Sequence, residues 1–241
     1  MSAVCLPYPQ RRDEIRRFVD KHHYTRRSPA VWTVAYGLSN SADKLQAVAM
    51  YGPPPYPTIA RAFVRCPEHA PRLIWQTRMV GAGISSADLD DLMTFARNDL
   101  LLRGFWWVLT LTDPTSSVVD NALLKLLQPG YTGDVYRRND WLYLGTAGER
   151  KLQGFVIDGT MVHIRQNRIT LTLSNIRQHY PEAKSVRAIY GSVKQRWVDV
   201  LGSSRERAER ILLMKYHVQE YQMLRQPRLL SMWLKLRRGE A

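Results

Sequence analysis

The chain has 241 residues, 45% of them apolar, which is enough to bury a core in one large domain, or one domain with an extension, and excludes disorder as the default. Its net charge is +14, from 35 Lys and Arg against 21 Asp and Glu, and 27 of the basic residues are arginine. Arginine grips phosphate with a planar fork where lysine offers a point charge, so the balance points to nucleic acid, the alternative being charge carried for solubility.

In chain order, residues 11–24 read as a basic amphipathic helix, with Ile15, Phe18 and Val19 on one face and Arg11, Arg12, Arg16 and Arg17 around it. Ser28-Pro29 follows as a stop. Ala30 to Gly37 and Leu45 to Tyr51 read as paired strands around an Asn40-Ser41 turn. Gly52 to Pro55 is a rigid break, and Ile59 to Arg65 a short helix or edge strand. Arg72 to Val80 reads as a buried strand. Ser85 or Ser86 then caps a helix with a stripe at Leu89, Leu92, Met93, Ala96 and Leu100, which Gly104 ends before a strand at Phe105 to Thr112. Residues 72–112 therefore form a strand–loop–helix–strand crossover with parallel strands.

Further on, Val118 to Leu127 reads as a short apolar helix and Asp134 to Leu144 as a strand or hairpin. Asp158-Gly159 marks a hairpin between Gln153–Ile157 and Thr160–Arg165. Leu171 to His179 and Ser192 to Leu201 read as helical, as does most of Arg205 to Leu236, interrupted near Pro227. The expected division is a domain over residues 1–202 and a basic helical extension over 203–241 that packs on or near it. Two cysteines in unrelated surroundings, Cys5 and Cys66, speak against a disulfide framework and a Cys-based zinc site. Residues 1–10 have no signal-peptide pattern, and the most apolar stretch, Phe105 to Leu111, is far too short to span a bilayer. The expected setting is the cytoplasm, with no membrane partner.

Three places could carry chemistry. Arg78-Met79-Val80-Gly81-Ala82-Gly83 has the form Arg-x-x-Gly-x-Gly between a strand and a helix, where backbone amides and the helix N-terminus favour an anion. This spacing resembles the pyrophosphate loop of the GNAT acyltransferases, which implies an acetyl-CoA-type cofactor held by Arg78, Gly81, Gly83, Ser85 and Ser86. A tight βα turn would require the same glycines. His22-His23-Tyr24, at the end of the basic helix, could serve acid–base chemistry or a metal, with His163 or His217 as distant partners, or be a packing feature. Gly133 to Gly145 interleaves aromatics and arginines with Asn139 and two carboxylates. Those groups could hold an extruded base, or else Trp141 and Tyr143 face the core of an alternating strand.

Taken in order, His23-Tyr24, Pro29, Trp32, Tyr51-Gly52-Pro53-Pro54, Arg78, Ser85-Ser86, Asp113 and then Gly133, Tyr136, Asn139, Trp141, Tyr143, Gly145 and His163 resemble the phage Mom family over residues 20–165. The chain departs from that family at Gln128 to Thr132, which lacks a histidine often found there. The resemblance implies a GNAT-like α/β (α+β) fold: a mixed central sheet flanked by helices, with the basic helical extension. It implies an enzyme that converts the exocyclic amino group of adenine in double-stranded DNA to a carbamoylmethyl derivative, protecting phage DNA from host restriction. The donor it implies is acetyl-CoA-type or glycine-derived, with iron as an associated metal. On this reading His23, Tyr24, Asp113, Tyr136, Asn139 and Tyr143 are catalytic, and His23, Tyr24 and Asp113 are the metal set. Arg11, Arg12, Arg16, Arg17, Arg26, Arg27, Arg137, Arg138 and Trp141 meet the nucleic acid, and a dimer is compatible with the sequence. The competing readings are an acyltransferase acting on RNA or a small amine, and a non-catalytic DNA-binding protein.

Overall fold

The structure, a computed structural model of the chain, describes residues 2–6, 10–23, 28–112, 133–147, 152–166, 169–190 and 194–240. The expected helix at Val118 to Leu127 lies outside them, as do Tyr24, Arg26, Arg27 and Asp113. The first half comprises β1 (Ser2–Leu6), α1 (Arg12–His22), β2 (Val34–Ser39), β3 (Leu45–Gly52), α2 (Pro57–Phe63), a 3-10 turn (Pro67–Arg72), β4 (Leu73–Gly81), α3 (Ser86–Leu102) and β5 (Trp107–Thr112). The second half comprises α4 (Asp134–Arg138), β6 (Leu142–Ala147), β7 (Leu152–Ile157), β8 (Thr160–His163), β9 (Arg165–Gln166), β10 (Ile169–Thr170), α5 (Ile176–His179), β11 (Val186–Tyr190), β12 (Lys194–Val200), α6 (Ser204–Leu212), a second 3-10 turn (Glu220–Met223) and α7 (Pro227–Arg238).

The chain divides into two compact units, one of Met1–Leu111, Asp134–Gly145 and Arg196–Ala241, the other of Thr112–Gly133 and Thr146–Gln195. The expected boundary at 202/203 falls inside the first unit, where the C-terminal helices supply core residues. A seven-stranded sheet runs β1-β2-β3-β4-β5-β12-β6. β1 to β4 are antiparallel neighbours, and β4 and β5 are parallel with α3 as the crossover, as residues 72–112 led one to expect. The fold is thus α/β, a mixed sheet flanked by helices.

Side-chain alternation along the strands gives each face its own cover. On one face Ala49, Ile74, Val108 and Trp197 pack against the α3 stripe of Leu92, Met93, Ala96 and Leu100. On the other, Ile15 and Val19 of α1 cover Ala35, Val48 and Met50. There Ala60 and Phe63 of α2, with Ala208, Ile211, Leu229 and Trp233 of α6 and α7, cover Leu73, Trp107, Leu109 and Val198.

Three local readings are corrected. Asp134 to Leu144 is not one strand: Val135 and Tyr136 are adjacent and both buried, which a turn of helix allows and an alternating strand does not. Of the expected helix at Ser192 to Leu201, the described part is a strand, Lys194–Val200. Trp197 and Leu201 belong to one core and Val198 and Val200 to the other, the period of two of a strand buried on both faces. Within Leu171 to His179 only the last four residues are helical, because Thr172 and Asn175 close a turn ahead of them, the Thr172 N–H donating to Asn175 Oδ1 at 2.7 Å.

In the second unit β11-β7-β8 form a small sheet. Asp158 and Gly159, both at positive φ (47° and 85°), join β7 to β8 in the two-residue hairpin that Asp-Gly signals. Its core is Phe155, Ile157, Val162, Leu171 and Ile176.

Candidate functional site

The first unit has one break in its sheet ladder with chemical consequences. β4 and β5 pair only at Leu73, Ile74 and Trp75 with Trp107, Val108 and Leu109. Among the described residues no further pair joins them, although β4 runs on to Gly81 and β5 to Thr112. The β3–β4 register shifts where Met50 and Tyr51 face Arg78 and Gln76, so Thr77 is an extra residue in β4. Such a bulge bends its strand. The Thr77 hydroxyl donates to the Met50 carbonyl at 3.1 Å, and the Thr110 hydroxyl of β5 donates to the Gln76 carbonyl at 3.1 Å. Past that point the edges of β4 and β5 that face one another carry backbone donors and acceptors without a strand partner.

On the α3 face, the base of this opening is a buried polar chain. Gln76, 2% exposed, donates from Nε2 to the Tyr51 hydroxyl at 3.0 Å and accepts the Tyr136 O–H at 2.6 Å. Burial pushes the Tyr51 phenol above its ordinary range, so it stays protonated. Of the expected base-pocket group, then, only Tyr136 reaches the opening. Trp141 is buried against Tyr136, ring centroids 4.7 Å apart, and is a core residue rather than a platform for DNA. Tyr143 packs on Trp197. The Asn139 amide donates to Asp90 Oδ1 at 2.7 Å and to the Val135 carbonyl at 2.9 Å, so its donors fasten the end of α4 to α3.

On the opposite face, His23 closes α1 with its ring buried, and Arg78, in register with Met50 beneath α1, is the nearby charge. Burial, and then the Arg78 guanidinium, lower His23 from 6.5 to about 4. It is therefore a neutral imidazole at physiological pH. The folded value lies below the unfolded one, so between pH 6.5 and about 4 the unfolded chain takes up a proton that the folded chain refuses. Stability is complete above 6.5 and falls through that window by up to roughly 3 kcal/mol. Urea midpoints at pH 7 and pH 5 should drop more for the wild type than for His23→Gln; equal drops would show that His23 is not held neutral.

The glycine loop stands at the end of β4. Gly83 has a φ of +69°, and Ser85 caps α3 in a reciprocal box: Ser85 Oγ accepts the Asp88 N–H at 3.2 Å while the Asp88 carboxylate accepts the Ser85 N–H at 3.1 Å. Ser86 is the first helical residue. The Ala82 N–H is committed to the Gln46 carbonyl. The first turn of α3 thus already holds a carboxylate, kept ionised by the Ser85 hydroxyl and N–H. Arg78 lies on the other face of the sheet, donating to the Thr77 carbonyl at 2.7 Å. A diphosphate at this loop would meet the Asp88 carboxylate.

The expected nucleic-acid arginines divide. Arg11 is paired with Glu14, Nε to Oε2 at 2.6 Å, and lies near Asp43. Arg137 pairs with Asp134 and Arg138 with Asp90. Arg12 and Arg16 lie over the Trp32 ring at 5.7 and 5.4 Å, and Arg17 is exposed, its Nε donating to the Asp13 carbonyl. Among the described residues one trio could hold a metal, Cys66, Glu68 and His69, with ligand atoms within 4.8 Å of one another, and it does not include His23. The sequence reading missed Gln76 and a buried ion pair beneath the site, Arg97 with Asp199, because their partners are distant along the chain.

No protein-family model matches the chain, and no curated protein matches it. Among solved structures it is similar to an aminoglycoside 6'-N-acetyltransferase from Enterococcus faecium, at 10% identity and a TM-score of 0.42, covering 84% of this chain and 98% of that one. An IAA acetyltransferase from Bacillus cereus is similar at 11% identity and a TM-score of 0.39, covering 83% of this chain and 100% of that one.

Proposed function

We propose that the chain is a group-transfer enzyme of the GNAT type that takes a CoA-type thioester as donor and an amino group of a nucleic-acid base as acceptor. The observation that carries this reading is the parting of β4 and β5 at the Thr77 bulge. An extended arm bearing amides, as pantetheine does, pairs with exposed strand edges of this kind, and residues 77–80 with 110 and 111 would hold it. A bound thioester supplies a carbon open to attack by an amine.

The residues of the chain do the rest. In the transfer a bond forms from the acceptor nitrogen to the donor carbon, the carbon–sulfur bond breaks, sulfur leaves as thiolate and the nitrogen gives up one proton. We assign that proton to His23, the neutral imidazole that closes α1 on the face opposite Gln76. Gln76, held between Tyr51 and Tyr136, fixes the bulge that opens the strands. Iron does not fit at His23, because the Arg78 guanidinium beside it opposes a second cation, and no step is assigned to it.

The net charge of +14 and the Arg12, Arg16 and Arg17 face of α1 support a nucleic-acid partner. The resemblance to the Mom family narrows the acceptor to the exocyclic amino group of adenine in double-stranded DNA, and the base would have to leave the stack to reach a recessed opening. The test is thiol release from acetyl-CoA by the purified chain, with duplex DNA or with a simple polyamine. Release that depends on DNA supports the proposal. Release only with the polyamine moves the acceptor to small amines, and release with neither contradicts group transfer from a thioester.

A further inference from the structure

On the sheet face opposite α3, between the strand-like bridge of Val64 with Met214 and helix α7, lies a cavity of about 290 Å³. That is near the low end of small-ligand sites. Its lining includes Arg65, Lys215, Tyr216, His217, Trp233 and Arg237 and no carboxylate. Arg65 is oriented by its Nε, which donates to the Met214 carbonyl at 2.9 Å, leaving the fork of its terminal nitrogens beyond that bond. Lys215 Nζ donates to the Arg61 carbonyl at 3.2 Å, and Arg237 lies over the Trp233 ring at 5.1 Å. Among the described residues none of these three cations is paired with a carboxylate. Elsewhere in the chain arginines do find acids, as Arg11, Arg97, Arg137 and Arg138 show. Trp233 is 4% exposed, and its buried indole N–H has no hydrogen-bond partner. An oxyanion with several acceptor oxygens answers the three cations at once.

We propose that this cavity is a phosphate site, separate from the β4–β5 opening, and that it takes a backbone phosphate of a nucleic-acid strand. A nucleic-acid strand suits it better than a free ion, because the cavity is larger than one phosphate requires and its cations are exposed at the mouth. The inference does not rest on group transfer: a chain that bound DNA here and transferred nothing would still support it.

The test compares binding of a fluorescent 20-base-pair duplex, across a salt series, by the wild type, Arg65→Gln/Arg237→Gln, and Trp233→Phe. A charge-matched control, Arg177→Gln/Arg205→Gln, removes two exposed cations elsewhere. The cavity double variant should weaken binding about tenfold or more and flatten the salt dependence, as expected when specific phosphate contacts are lost. The control should change it less than about twofold. Trp233→Phe, which keeps an aromatic ring under Arg237, should change binding less than about twofold. A second arm titrates inorganic phosphate, followed by phosphorus NMR. Equal losses in the cavity and control variants would overturn the site in favour of diffuse charge. Inorganic phosphate bound in the cavity, with duplex binding untouched by the cavity variants, would overturn the nucleic-acid source.

Discussion

Replacing Asp199 by leucine should lower the stability of the chain by about 3–5 kcal/mol, the range for breaking a buried ion pair from one side. Asp199 is 2% exposed in β12. Arg97 of α3 grips it with both ends of its fork, Nε to Oδ2 at 2.8 Å and a terminal nitrogen to Oδ1 at 2.6 Å, and reaches the Asn139 carbonyl at 3.1 Å. The pair ties the crossover helix, β12 and the end of α4 at one point. Arg207 makes the loss asymmetric. Its guanidinium is mostly buried, burial lowers its pKa, and Asp199 is the nearby charge that opposes this. Without Asp199, the two guanidinium groups repel each other and keep Asp140 as their remaining nearby opposing charge. Asp199→Leu should therefore be worse than Arg97→Leu, and Arg97→Leu/Asp199→Leu should recover part of the loss over Asp199→Leu. Urea unfolding midpoints measure all three. A loss below about 1 kcal/mol for either single variant would mean that the pair is hydrated like a surface bridge.

His23→Gln should lower kcat/KM for transfer by about a hundredfold or more, the contribution of a positioned general base. The wild-type profile should show an acidic limb near pH 4 rather than near 6.5, because the working form is the neutral imidazole that burial and Arg78 maintain. Arg78→Gln removes the second of those causes, so it should move that limb upward. A limb that stays in place would show that burial alone sets it, and full activity in His23→Gln would remove the base from the mechanism.

What could be read from the sequence was what neighbours along the chain decide. The α3 stripe and its Ser85 cap, the parallel crossover over residues 72–112 and the Asp158-Gly159 hairpin all rest on local spacing, and all are present. β12 was misread because it lies between β5 and β6 and is buried on both faces, so it lacks the alternation that marks a half-exposed strand. The aromatic run at 133–145 has the composition of a base pocket. Which way each ring points is set by Trp197 and Gln76, 56 residues after Trp141 and 60 before Tyr136. The Gln76 chain and the Arg97–Asp199 pair, whose partners are 102 residues apart, are products of the fold and left no local signal. The arginine excess was plain from composition, but which arginines are already matched by acids is known only from the structure. That redistribution moves the expected nucleic-acid contacts from Arg11, Arg137 and Arg138 towards Arg16 and Arg17 and the cavity beside α7.

Transfer of a group to a nucleic-acid base would be seen by mass spectrometry of nucleosides from DNA and RNA of cells expressing the chain or His23→Gln. A nucleoside of increased mass, adenine-derived in DNA, should be present with the wild type and absent or greatly reduced with the variant. Unmodified nucleosides in both nucleic acids from cells that express the folded wild-type chain would contradict it.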